Sequence, residues 1–148
     1  MSAALTLAGP DDAEKLLSLI ARNHAEQQLT YDDETRANSI LPLLQGSPLG
    51  AAWLIGPARA PLGYVIVTFG WSLRNAGMTG WVDDIFVRSN VRRRGIATEC
   101  IMALSRTLQA ADVQTLSMRS DDDAIKRLAK RVGMFHDGAL TFMTSARP

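Results

Sequence analysis

Hydrophobic and polar positions change their period several times along this chain, and each change predicts a new element. Short apolar runs rich in β-branched and aromatic residues predict buried strands, and apolar positions at helical spacing predict amphipathic helices. The predicted strands lie at 4–8, 51–55, 62–71, 81–87, 113–119 and 140–145. The predicted helices lie at 12–27, 30–45, 96–110 and 122–132. Pro42 stands inside the second helix, where a proline kinks or divides a helix.

The order of these elements predicts the fold class. Strands joined by short loops pair antiparallel, whereas the strand–helix–strand unit over 81–119 pairs in parallel through a right-handed crossover. The chain should therefore form an α/β (α+β) fold, with a mixed, mainly antiparallel central sheet of about six strands and helices on both faces. We expect one domain that spans residues 1–148, since this length suits a single hydrophobic core.

Composition excludes several classes of protein. A hydrophobic content of 47% argues against disorder, and a net charge of +1 argues against a nucleic-acid-binding protein. The single cysteine, Cys100, has no disulfide partner, and the two histidines lie far apart, so no metal site is expected. No apolar run reaches about 18 residues, and the first residues lack a basic segment. We therefore expect neither a membrane span nor a signal peptide, and a cytoplasmic location.

A basic turn separates the fourth predicted strand from the third predicted helix. Its sequence is RRRG at 92–95, and the helical pattern begins at Ile96. The first N–H groups of a helix have no internal partner, and the helix dipole adds partial positive charge there. A glycine at this point lets the backbone approach a phosphate closely. The turn therefore predicts a phosphate-binding site.

With these residues the chain resembles the GNAT-type N-acetyltransferases. The phosphate-loop pattern of that family is Arg or Gln, two residues, Gly, one residue, then Gly or Ala, and here 92–97 reads RRRGIA. The preceding strands, GYVIVTFGWS and GWVDDIFV, and the last helix, DDDAIKRLAKRVGMF, are also similar to the family. The resemblance thus covers nearly the whole chain.

This resemblance implies acetyl-CoA as the donor and a primary amine of a small molecule as the acceptor, joined by direct attack in a ternary complex. In the family, strand backbone binds the pantetheine and polarises the thioester, and the start of the following helix binds the pyrophosphate. A homodimer is a further expectation of this kind. The expected cofactor-binding residues are Ile85, Phe86, Val87, Arg92, Arg93, Arg94, Gly95, Ile96, Ala97, Thr98 and Asp122.

Two adjacent acids, Asp83 and Asp84, are the candidate catalytic residues. Attack on a thioester requires a free amine, so a base must accept its proton. Neighbouring side chains on a strand point to opposite faces, so we expect one acid to face the acceptor. The resemblance favours Asp83, which stands at the family's water-linked base position. Asp84 is either a structural partner or part of the same acidic patch.

Four further residues are candidates for binding the acceptor. The indoles of Trp71 and Trp81 offer cation–π contacts to a cationic amine. Glu26 and Tyr31 lie between the first two predicted helices, where the resemblance implies the lip of the acceptor site. The acceptor itself stays open among a polyamine, an aminoglycoside-like amine, an amino acid and an amine of a protein.

Two positions depart from the family pattern. The family often has a tyrosine four residues before the glycine of the last helix, as the general acid for the leaving CoA thiolate, and here Ala129 stands there. An asparagine is often found seven residues earlier, where this chain has Asp122. Ser120, Tyr31 or a bound water are the remaining proton donors. The absence of the tyrosine at Ala129 also supports an alternative function, a CoA-binding sensor or interaction module without turnover.

Overall fold

The structure, a computed structural model, describes residues 4–138 and 143–144, and a five-stranded sheet organises them. The helices and strands follow one another in the predicted order. The strands are β1 (Leu5–Leu7), β2 (Gly50–Ile55), β3 (Gly63–Ser72), β4 (Gly77–Val87) and β5 (Val113–Met118). The helices are α1 (Ala13–Glu26), α2 (Asp33–Leu44), α3 (Ile96–Ala110) and α4 (Asp123–Arg131).

The sheet has the strand order β1-β2-β3-β4-β5, so neighbours in sequence are neighbours in space. The first three pairings are antiparallel, and α3 connects β4 to a parallel β5. This confirms the predicted mixed, mainly antiparallel sheet, with five strands among the described residues where about six were expected. The predicted last strand, 140–145, lies outside those residues except at 143–144, which are not in a strand.

Each face of the sheet carries its own hydrophobic core, as the prediction of helices on both faces requires. On one face, Val65 and Val67 of β3 pack with Leu104 of α3 and Leu128 of α4. On the other face, the side chains of β3 that point away from α3 pack with apolar residues of α1 and α2 and form the second core. Its fully buried members include Tyr64, Leu16, Leu19 and Ile40.

Two residues inside helices are notable for their positions. Pro42 does not divide α2, because it lies in the last turn and the helix continues to Leu44. Cys100 is fully buried on α3, and burial raises the pKa of its thiol to about 12. The thiol is therefore protonated and unreactive at neutral pH. Among the described residues, none of the helices combines the length and the apolar character that crossing a membrane requires.

A β-bulge in β4 shapes the end of the sheet. Asp84 pairs with Ile66 and Val82 pairs with Val67, so Asp83 is an extra residue between them. The extra residue shifts the alternation of side chains: Val82 joins the α3 core, whereas Phe86 joins the core beneath α1 and α2.

The parallel pairing of β4 with β5 ends near the same point, at Val82 and Met118. From Asp83 to Val87, β4 therefore has no partner strand on its β5 side within the described part of the chain. The two parallel strands separate here, and the separation opens a cleft at the C-terminal end of β4.

Candidate active site

A cleft of about 1740 Å³ lies where β4 and β5 separate. Its walls are the end of β4, the first turn of α3, the β5–α4 connection and one side of α4. Most of the predicted site residues line it. They are Glu26, Asp83, Asp84, Ile85, Phe86, Val87, Arg92, Arg93, Gly95, Ile96, Ala97, Thr98 and Asp122.

The start of α3 offers an open anion site. Gly95 has φ +76, and apart from Gly95 and its two chain neighbours no described residue has an atom within 4 Å of the position that a Cβ would take there. The first hydrogen bond of the helix runs from the Glu99 N–H to the Gly95 carbonyl. The N–H groups of the first-turn residues before Glu99 therefore have no partner within the helix. Arg93 and Arg94 are exposed and form no ion pair with any other described residue. Backbone donors at the start of α3 thus directly follow two exposed arginines in the chain, a combination that suits a pyrophosphate.

Arg92 has a different position from the other two arginines. Its Nε donates to the Val87 carbonyl at 2.8 Å, and its Nη2 pairs with Glu26 of α1 at 2.5 Å. The guanidinium carbon lies 5.4 Å from the centre of the Phe86 ring. Arg92, predicted for the pyrophosphate, and Glu26, predicted for the acceptor, therefore bind each other across the end of β4.

Asp122 lines the cleft, but its carboxylate is already hydrogen-bonded within the protein. The side chain caps α4 by accepting a hydrogen bond from Ala124 N–H at 2.7 Å. Ser120 precedes it and accepts a hydrogen bond from Asp122 N–H at 3.0 Å. Ser120 also lines the cleft, and its hydroxyl proton remains available for donation.

The two adjacent acids have different environments. Asp83, the extra residue of the bulge, is exposed to the cleft. Asp84 is half-buried and accepts hydrogen bonds from Tyr64 Oη at 2.7 Å and from Asn23 Nδ2 at 3.1 and 3.3 Å. Burial raises the pKa of Asp84, and the hydrogen bonds from Tyr64 and Asn23 oppose that rise. Burial and the charge of Asp84 raise the pKa of the Tyr64 phenol as well.

Asn23 and Tyr64 are the site residues that the sequence did not single out. Asn23 was available as a signal, because it falls on the apolar face of α1 with Leu16, Leu19 and Ile20. A polar side chain at such a position needs a buried hydrogen-bond partner. Tyr64 carries no comparable signal, since a tyrosine inside an apolar strand is common.

Four predicted positions do not line the cleft. Tyr31 is exposed in the α1–α2 connection, and its ring lies 5.2 Å from that of His24. Trp71 is 70% exposed near the far end of the β3–β4 hairpin. Trp81 contacts the cleft only indirectly, because the guanidinium of the cleft-lining Arg119 stacks on its ring at 4.8 Å. Arg94 is exposed beside the cleft.

Comparison with solved structures identifies many similar folds. An integron cassette protein from the mobile metagenome of Cole Harbour salt marsh superposes with a TM-score of 0.87 and 24% identity, over 97% of this chain and 91% of that one. A predicted acetyltransferase from Clostridium acetobutylicum, solved with acetyl-CoA, superposes with a TM-score of 0.76 and 15% identity, over 95% of this chain and 96% of that one. An aminoglycoside acetyltransferase from an uncultured soil metagenomic sample, in complex with sisomicin, superposes with a TM-score of 0.79 and 15% identity, over 97% of this chain and 95% of that one. These structures share the fold of this chain.

A comparison with family models gives the assignment. No curated protein sequence matched the chain significantly. The model of the acetyltransferase (GNAT) family matches residues 13–134, from the start of α1 to just beyond α4, and so includes the whole cleft. The resemblance read from the basic turn and its neighbouring strands is confirmed, and this chain belongs to the acetyltransferase (GNAT) family.

Proposed function

We propose that this protein is an N-acetyltransferase that moves the acetyl group of acetyl-CoA to a primary amine of a small molecule, by direct attack in a ternary complex. The observation that carries the proposal is the cleft itself. It places a strand edge without a partner, an open helix start and an acid pair around one space.

The donor side of this space fits a long, phosphate-bearing thioester. Along Ile85–Val87, the backbone N–H and C=O groups on the side that faces no described strand would bind the amides of the pantetheine in the way that a neighbouring strand would. The Val87 carbonyl is the exception, because it already accepts a hydrogen bond from Arg92. The start of α3, with Arg93 and Arg94, would hold the pyrophosphate. A backbone N–H of β4 close to the thioester would stabilise the charge that develops on its carbonyl oxygen. The acetyl-CoA bound in the clostridial structure of the same fold supports this assignment.

The acceptor side fits a cation. Amines are protonated at neutral pH, and Asp83 at the bulge presents an exposed carboxylate to the cleft. Glu26 adds little to this attraction, because Arg92 pairs with it. The acid pair would attract the ammonium group and then accept its proton as the nitrogen attacks. The aminoglycoside acetyltransferase with the same fold supports a small-molecule amine as the acceptor.

The leaving thiolate needs a proton from a group other than the family's usual tyrosine. Ala129 provides none, and Tyr31 lies outside the cleft. Ser120 lines the cleft with its hydroxyl proton available, so we assign this donation to Ser120 or to a water that it binds. Because a thiol is a moderate acid, its thiolate leaves readily, and the hydroxyl or water need only relay to sulfur the proton that the attacking nitrogen gives up.

Two measurements test the function together. Calorimetry should detect binding of acetyl-CoA, and a thiol-reactive dye should then detect CoA release with an amine from a panel of spermidine, sisomicin and lysine. Binding with amine-dependent release supports the proposal. Binding without release from any amine favours the alternative, a CoA-binding sensor or interaction module. Absence of acetyl-CoA binding contradicts both functions.

Asp83→Asn is expected to lower kcat/KM for the amine about tenfold, which corresponds to about 1.4 kcal/mol of lost attraction at an exposed site. The affinity for acetyl-CoA should change less than twofold, since the donor contacts other groups. Steady-state kinetics and calorimetry measure the two quantities. Asp11→Asn, an equal change of charge at an exposed site outside the cleft, is the control. An amine kcat/KM equal to that of the control would remove Asp83 from the site.

A further inference from the structure

A chain of hydrogen bonds runs from α1 to β4 beneath the cleft, and every donor in it points toward Asp84. Gln27 Nε2 donates to Asn23 Oδ1 at 2.9 Å. Asn23 Nδ2 donates to Tyr64 Oη at 2.9 Å and to both oxygens of Asp84. Tyr64 Oη donates to Asp84 Oδ2 at 2.7 Å. An ionised carboxylate is an acceptor only, so this arrangement matches the ionised form of Asp84.

The two donors are largely shielded from water. Asn23 is 5% exposed and Tyr64 is fully buried. Buried polar groups are costly unless they are hydrogen-bonded, and three elements contribute to this network. The geometry of Asp84 is therefore fixed by α1 and β3 as well as by its own strand.

The two oxygens of Asp84 are not equivalent. Oδ2 accepts the short hydrogen bond from Tyr64 and a second, longer one from Asn23. Oδ1 accepts from Asn23 alone, at 3.1 Å, and Asp84 lines the cleft. Because each carboxylate oxygen has two lone pairs, Oδ1 retains one for a donor in the cleft.

We propose that Asn23 and Tyr64 are positioning residues for acetyl transfer, which hold Asp84 with Oδ1 as the proton acceptor for the amine. This inference rests on the proposed function and decides between the two acids: Asp83 attracts the cation and Asp84 accepts its proton. The ammonium group gives one proton to Asp84, and the nitrogen lone pair forms the bond to the acetyl carbon. The C–S bond breaks with its electron pair on sulfur, the second N–H proton ends on that sulfur, and Asp84 returns its proton to water.

The surroundings of Asp84 suit this role. Burial raises its pKa, the charge of Asp83 acts in the same direction, and Tyr64, Asn23 and His24 oppose the rise. Two further charges from the neighbouring elements, Glu26 of α1 and Arg92, compensate each other in an ion pair. A carboxylate with a raised pKa accepts a proton from an amine more readily than an ordinary aspartate does.

Tyr64→Phe tests the inference, because it removes one donor and keeps the ring that packs in the core. We expect kcat for the amine to fall about tenfold while the affinity for acetyl-CoA stays the same. Loss of a donor disfavours the ionised form, so the acid limb of the pH–rate profile should move to higher pH. Ile66→Val removes a methyl group from the same face of β3 and takes away no donor or acceptor of the network, so it should leave the profile in place. A Tyr64→Phe profile equal to that of Ile66→Val would overturn the inference.

A second readout does not depend on turnover. The carboxyl carbon of Asp84, assigned with Asp84→Asn, can be followed by NMR during a pH titration of the wild-type protein, Tyr64→Phe and Asn23→Leu. We expect the midpoint to rise in both variants. An unchanged midpoint refutes the positioning role whatever the activity is. A raised midpoint in a protein that acetylates no amine of the panel refutes the proposed function instead, and with it the assignment of Asp84 as proton acceptor.

Discussion

Replacing Gly95 with valine is expected to lower the affinity for acetyl-CoA about 100-fold, or about 2.7 kcal/mol. A Cβ at this position would meet no atom of the other described residues within 4 Å beyond its chain neighbours, so we expect the valine side chain to occupy the open space at the start of α3. A phosphate could then no longer approach those groups, and two or three charge-assisted hydrogen bonds at about 1.5 kcal/mol or more each would be lost. Calorimetry with acetyl-CoA measures this loss.

The same substitution also strains the backbone, and a control separates the two effects. Gly95 has φ +76, where a residue with a side chain costs about 1–2 kcal/mol of folding stability. Gly46 has φ +95 and equally open surroundings, but it lies between α2 and β2, outside the cleft. Gly46→Val should therefore lose similar stability on thermal unfolding and keep its affinity for acetyl-CoA. If both variants bind equally well, the start of α3 is not the phosphate site.

The start of α3 was predictable because its signal is local. The four residues at 92–95 and the helical pattern after them are contiguous, and no distant contact is needed to recognise a helix start. The strand and helix order was predictable for the same reason, since each element has its own period. The parallel pairing of β4 with β5 then followed from the connecting helix.

The different environments of the two acids were not predictable, because they depend on a register that only the folded sheet defines. Adjacent strand residues were expected on opposite faces, but the bulge makes Asp83 an unpaired residue. It thereby changes which face the following residues meet, and Asp84 points toward α1. A single-residue bulge leaves no pattern in the sequence of one strand.

The partners of these residues were hidden by distance along the chain. Asn23 lies 61 residues before Asp84, and Tyr64 lies 20 residues before it. Arg92 was predicted for the phosphate because it stands beside Arg93 in sequence, yet its partner Glu26 is 66 residues away. Residues were assigned to the donor or the acceptor side from their neighbours in the sequence. In the folded chain, Glu26 of α1, predicted for the acceptor, pairs with Arg92, predicted for the donor, at the end of β4.

Gly63→Ala is expected to lower the free energy of unfolding by about 3 kcal/mol or more. A Cβ on Gly63 would lie 2.0 Å from the Phe86 carbonyl oxygen and 3.0 Å from Val87 Cα, and both are backbone atoms of β4. No rotamer change relieves such a clash, so β3 and β4 must move apart where Gly63 pairs with Val87. This is also the segment whose backbone we assign to acetyl-CoA, so affinity for the donor should fall together with stability.

Gly70→Ala is the matched control, because it makes the same change on the same strand without the clash. The nearest atom to its Cβ would be Thr79 Oγ1 at 3.6 Å, which is an ordinary van der Waals contact. Alanine also restricts the unfolded chain more than glycine does, so this variant should stay within about 1 kcal/mol of the wild type in urea unfolding. Gly63 thus keeps β3 close to the end of β4, since only a glycine admits the Phe86 carbonyl there. Equal stability of the two variants would contradict the register on which the bulge, the separated edge of β4 and the position of Asp84 all depend.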